Sequence, residues 1–110
     1  MPRFFSQLVF GICVITAVLI NTAQAGVSEQ RAKELTYLLH QDCGACHGMT
    51  LKGGLGPPLL PQNLINMSVA DISAVITYGR VGTPMPPWKA ILTDNDIHWL
   101  SKTLKAESNE

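Results

Sequence analysis

The sequence predicts an all-α domain with three main helices, and three observations carry that reading. Apolar residues recur at helical spacing in three separate segments, each segment opens on a capping residue, and no stretch alternates convincingly with the period of two that a strand requires. Ser28 can cap the first helix, whose apolar positions Ala32, Leu35, Leu38 and Leu39 run on towards Cys43. Ser68-Val-Ala-Asp71 has the form of a capping box, with Met67 and Ile72 placed as a hydrophobic staple. Val69, Ile72, Val75 and Ile76 make the stripe of that second helix, and Gly79 ends it. Thr93-Asp-Asn-Asp96 repeats the device, with Leu92 and Ile97 as the staple and Ile97, Leu100 and Leu104 as the buried stripe of the terminal helix. Asp94 and Asp96 are read here as helix-start residues, a role that capping and the helix dipole suffice to explain.

The first 25 residues have another character. Arg3 supplies a positive start, Leu8 to Ile20 is an apolar run shorter than a membrane span of about 20 residues, and Ala23-Gln24-Ala25 is a small-x-small exit. The expectation is a signal peptide over 1–25, cut after Ala25, that exports a single domain over 26–110; an uncleaved anchor is the alternative. Cys13 leaves with the peptide, so two cysteines remain. The mature chain then holds seven basic against eight acidic side chains, has no basic stripe for nucleic acid, and keeps no membrane segment.

Three short helices and a proline-rich middle are a thin core for 85 residues, because small domains bury a low fraction of their surface and usually need a staple. The segment Asp42-Cys-Gly-Ala-Cys-His-Gly48 says what the staple is. Cys-x-x-Cys-His is the attachment sequence of c-type haem: one helical turn presents two sulfurs to one porphyrin edge while the next residue swings under the plane to the iron. Cys43 and Cys46 are the expected thioether positions and His47 the proximal ligand of one covalently bound haem c. A Cys43–Cys46 disulfide would leave His47 and the thin core unexplained. Zinc would want four ligands, and a thioredoxin-like dithiol would want a βαβ setting.

The sixth iron position decides between a carrier and a reaction centre. Met49 follows His47 too closely to cross to the opposite face, and Met67 is better used in the staple. Met85 sits in Gly82-Thr-Pro-Met-Pro-Pro-Trp88, where three prolines restrict the backbone and can hold a thioether against iron; the plain alternative is that it caps an apolar loop. His40 and His98 read as surface or edge histidines, which makes bis-histidine ligation the minority reading. No nucleophile, carboxylate pair or general base accompanies the motif, so the chain is not expected to be an enzyme. The competing class is a ligand-binding or peroxidase-like haem protein with a labile sixth position.

With a leading helix into CxxCH, a glycine-proline loop and a methionine loop before the last helix, the chain resembles class I cytochromes c over Gly26 to Lys105. That resemblance implies that Pro57, in Gly56-Pro57-Pro58-Leu59, turns its carbonyl to the proximal histidine, and that Leu59 and Trp88 pack near the porphyrin. DCGACHGMTLKGGLGPPL, YGRVGTPMPPW and DIHWL together are similar to the cytochrome c-55X family, small periplasmic cytochromes associated with haem-cd nitrite reductase. The family implies a monomeric periplasmic carrier of single electrons in denitrification. Its partners would be haem-cd nitrite reductase or a dehydrogenase that matures that enzyme's special haem, with a separate upstream donor. Tyr78 and Arg80 are within reach of a propionate in that picture, and Pro61 to Val69 reads as a variable connection.

Overall fold

The computed structural model describes residues 26–106, and the expected signal peptide lies outside them. Among the described residues there is no strand, and no helix is long and apolar enough to cross a membrane. Helix α1 spans Glu29–Leu38, α2 Gly44–His47, α3 Pro61–Leu64, α4 Val69–Tyr78 and α5 Asp94–Ala106. The three expected main helices are α1, α4 and α5. Helix α3 is a single turn inside the segment read as a plain connection, started by Pro61 at its first position, where a missing N–H costs nothing.

Each long helix begins as its sequence prescribes. Ser28 Oγ accepts from the amide of Arg31 at 3.1 Å. Ser68 and Asp71 close a reciprocal box, as do Thr93 and Asp96, whose amides donate to each other's side-chain oxygens at 3.0 and 3.1 Å. Substituting such caps costs about 1 kcal/mol. Asp96 does more than cap, because Arg31 of α1 grips it with two donors, Nε at 3.1 Å and Nη2 at 2.9 Å. This fork joins the first helix to the last across 65 residues of chain.

The core is aliphatic. Leu35 and Leu39 of the first helical segment, Ile72 of α4, and Ile97, Leu100 and Leu104 of α5 are all buried, joined by Leu51, Leu64 and Leu92 from the connections. Helix α4 lies along α5, where the fully buried Ser101 keeps the approach close; its hydroxyl donates to Ile97 O and accepts from Ser73. Lys105 reaches from α5 to the carbonyls of Leu64 and Ile65, which closes the end of α3.

Between α1 and α2 the helix widens to a π-turn over Leu39–Cys43, in which the Gly44 amide donates five residues back to Leu39 O. Every fourth residue drifts by about 40° on an α-helix, so Leu35, Leu39, Cys43 and His47 would fan through about 120°. One wide turn absorbs an extra residue and winds that drift back. The consequence is that Leu39, Cys43 and His47 line one cavity.

Candidate functional site

The cavity measures about 430 Å³ and is walled by the inner side of the core. Leu39, Leu64, Ile72, Leu100 and Leu104 of the core cluster line it, so the packed core forms one side of the cavity. Cys43, Cys46, His47, Pro57, Leu59, Met85 and Trp88 all line it. Every site residue expected from sequence therefore opens on the same space. Asp42 and Arg80 are the charged residues on its lining.

No disulfide joins Cys43 to Cys46. Burial pushes the Cys43 thiol up to about 11, with the Asp42 carboxylate adding to the effect, so it stays protonated at neutral pH.

His47 is held from behind by a short chain of backbone contacts. The loop after it folds back so that Gly53 N–H donates to His47 O at 2.7 Å and Gly56 N–H to Cys46 O at 2.8 Å. Gly56 then lies flat against the imidazole, where a Cβ would sit 2.9 Å from both Nδ1 and Cε1, and glycine is the residue that leaves the ring its place. The next carbonyl, Pro57 O, stands 2.6 Å from Nδ1. A carbonyl only accepts, so Nδ1 donates in this bond, which selects the neutral tautomer that leaves the Nε2 lone pair available.

The methionine loop is tied just as closely. Gly79 ends α4 at φ +66°, and a Cβ on it would fall 2.5 Å from Met85 O and 2.7 Å from the Pro86 carbonyl carbon. Glycine is thus required twice over, by conformation and by the near approach of residues 85–87. Trp88 N–H donates to Ile76 O at 2.9 Å and Arg80 N–H to Met85 O at 3.1 Å, pinning both ends of the loop to the end of α4. Lys89 lies 5.3 Å from the centre of the exposed Tyr78 ring.

Other readings are refined. His40 is half-buried and donates through Nδ1 to Met49 O at 3.1 Å, which ties the π-turn to the loop after His47, whereas His98 is exposed as expected. Sequence reasoning passed over the packing role of Gly56, although its place directly before Pro57 was the available signal. It also passed over Thr83, whose hydroxyl donates to Arg80 O at 2.7 Å.

A helical domain that gathers Cys-x-x-Cys-His and a methionine loop around one apolar cavity has the build of a c-type cytochrome, and comparison with known proteins agrees. The family model described as cytochrome C oxidase, cbb3-type, subunit III, matches residues 30–102, which places the chain in that family of c-type cytochromes. More narrowly, the chain belongs to the cytochrome c55X family: it is 39% identical over 100 residues to cytochrome c55X of Paracoccus denitrificans, covering 90% of this chain and 97% of the relative. Its fold matches a solved c-type cytochrome NirC with a TM-score of 0.71 and 42% identity, over 73% of this chain and 94% of that one. A 72-residue stretch, 66% of this chain, is also 40% identical to part of dihydro-heme d1 dehydrogenase of Pseudomonas aeruginosa, of which it covers 14%. Covalently bound haem c is the cofactor of the family.

Proposed function

We propose that this chain is a periplasmic monohaem cytochrome that carries single electrons in denitrification, exchanging them with haem-cd nitrite reductase or with the dehydrogenase that matures its special haem. The observation that carries the reading is the convergence of Cys43, Cys46, His47 and Met85 on one apolar cavity. Cys43 and Cys46 would hold the haem by thioethers, His47 through Nε2 and Met85 through sulfur would be the axial ligands, and Leu59 and Trp88 would pack against the ring. Bound there, haem c supplies a one-electron ferric/ferrous couple. The Pro57 bond orients His47 and raises its basicity, a Met85 thioether on the iron would favour the reduced state, and the aliphatic lining would limit water at the centre. A methionine on the cavity wall, its carbonyl held by the Arg80 amide, supports a carrier over a peroxidase-like protein with a labile sixth position.

The partner reading rests on the dehydrogenase relative. A dehydrogenation releases two electrons, which a monohaem carrier would accept one at a time, and an enzyme containing a stretch like this chain is a natural party to that exchange. Mass spectrometry and the haem absorbance of the exported protein test attachment, with one haem per chain expected. Met85→Ala tests ligation: it should abolish the weak near-infrared methionine-to-iron band and open the reduced protein to carbon monoxide, with helix content unchanged. A wild-type protein that binds carbon monoxide readily would favour the labile-ligand class. Stopped-flow mixing with each enzyme then decides between the two partners.

A further inference from the structure

Between Pro84 and Pro87 the chain offers a single backbone donor, because three of those four residues are prolines and carry no N–H. That donor is the amide of Met85. Its acceptor is a side chain, Thr83 Oγ1, at 3.3 Å. The same hydroxyl donates to Arg80 O at 2.7 Å, alongside the Thr83 amide at 3.1 Å to that carbonyl. Arg80 N–H in turn donates to Met85 O. Residues 80–85 thus form a closed ring in which both polar backbone groups of Met85 are returned to the end of α4, and Thr83 supplies the one side chain in the closure. Nothing packs on the outside of that ring: Val81 at its tip is fully exposed, and nothing lies within 4 Å of where a Cβ on Gly82 would be. Apolar contact therefore cannot substitute for the hydrogen bonds on this side.

We propose that Thr83 is a positioning residue whose hydroxyl holds Met85 in its place over the cavity and sets how often the methionine lets go. The inference rests on Met85 being the sixth ligand. Without the hydroxyl, the Met85 amide and the Arg80 carbonyl would turn to water, and the loop would gain a second conformation in which the thioether leaves the iron. One net hydrogen bond corresponds to roughly a twofold to tenfold change in such an opening equilibrium.

The test uses the haem-loaded protein as wild type, Thr83→Val, Thr83→Ser and Met85→Ala. Thr83→Val keeps the shape and should raise the rate of imidazole binding to the oxidised protein by about twofold to tenfold, while Thr83→Ser should restore the wild-type rate. Exchange of the Met85 amide hydrogen should accelerate in Thr83→Val by a similar factor, and helix content should stay the same. A Thr83→Val protein with wild-type imidazole binding and wild-type Met85 amide exchange would overturn the proposal, as would a serine variant that behaves like valine. If Met85→Ala leaves the near-infrared band and imidazole binding untouched, the ligand assignment fails, while the amide exchange still reports whether Thr83 restrains the loop.

Discussion

Two regions of this small molecule are held together by opposite means. Where α1 crosses α5, side chains do the joining: the Arg31–Asp96 fork and the burial of Leu35 and Leu100 in the shared core. Around the cavity, main chain does it: Gly56 N–H on Cys46 O, Pro57 O on His47, Arg80 N–H on Met85 O and Trp88 N–H on Ile76 O, with glycines where backbones meet. The difference follows from what each must do. A helix crossing needs only to stay shut, and many side-chain sets achieve that. On the proposed reading the cavity loops present a histidine and a methionine at fixed places, and prolines and short backbone bonds hold a position more tightly than long side chains can.

The comparison is broken most completely by emptying the cavity. A space of about 430 Å³ lined by the aliphatic core leaves that apolar lining facing water when nothing fills it, and a small domain has little other apolar burial to offset the loss. Cys43→Ala combined with Cys46→Ala should therefore leave a chain with little helix by circular dichroism, even though every capping box and the Arg31–Asp96 fork remain encoded. A cooperative, fully helical haem-free form would show that the crossing is sufficient by itself.

Next in size is Gly79→Ala, which acts on the cavity loops alone. The added Cβ meets Met85 O and the Pro86 and Pro87 backbone at 2.5 to 2.8 Å, at a φ that alanine adopts with strain. A loss of about 2 kcal/mol is expected, together with a weakened near-infrared band, because the loop must move off α4 to make room. If stability falls while the band and carbon monoxide exclusion are unchanged, the loop tolerates displacement better than its ties suggest.

The crossing is probed by Asp96→Asn. Arg31 beside it holds the Asp96 carboxyl down at about 2, with the Thr93 amide and hydroxyl helping. A carboxyl depressed in the folded state contributes stability above its ordinary range and loses that contribution as pH falls through that range towards about 2. Asp96→Asn should cost on the order of 2 kcal/mol at neutral pH, and the gap to wild type should shrink on acidification. The haem spectrum should not respond. An unchanged gap at low pH would mean that the loss comes from the cap and not from the charge.

These regions also differ in how far they could be read from the residues alone. Capping boxes are local, three residues apart, so Ser28, Ser68–Asp71 and Thr93–Asp96 were readable together with the α5 stripe Ile97, Leu100 and Leu104. The Arg31–Asp96 fork was not, because its partners lie 65 residues apart and each already had a sufficient local role. The π-turn left no mark, since Leu39-His-Gln-Asp-Cys43 has the composition of an ordinary helix and the extra residue shows only when the turn is closed. Helix α3 escaped because one turn is too short to display a period, despite Pro61 at its start. In the cavity, the residue types announced themselves through Cys-x-x-Cys-His and the proline-flanked methionine. The ties that hold them run through main-chain atoms, which any residue supplies, so only Gly56, Gly79 and Thr83 carry a trace of them.

The smallest effect expected is that of salt on exchange with a redox partner, and it sharpens the contrast in charge. One ion pair, Arg31 with Asp96, spans the crossing, and the exposed pairs Arg31 with Glu34 and Lys33 with Glu29 lie along α1. The cavity loops, residues 48–67 and 79–93, contain Lys52, Arg80 and Lys89 and no carboxylate. Arg80 shares the cavity lining with Asp42, and the two propionates that a bound haem would add, about −2 when ionised, offset the remaining positive charge of these loops. Apolar side chains are exposed on these loops: Leu55, which also lines the cavity, and Val81 on the methionine loop. A contact built on such a rim is small and short-lived, with little electrostatic steering. The rate of electron exchange with either candidate enzyme should therefore change by no more than about twofold between low and physiological ionic strength. Leu55→Ser or Val81→Ser should slow it more than Lys89→Ala does. A steep fall with salt, matched by a larger loss in Lys52→Ala, Arg80→Ala or Lys89→Ala, would show that the cations are not cancelled and that the partner presents an acidic face.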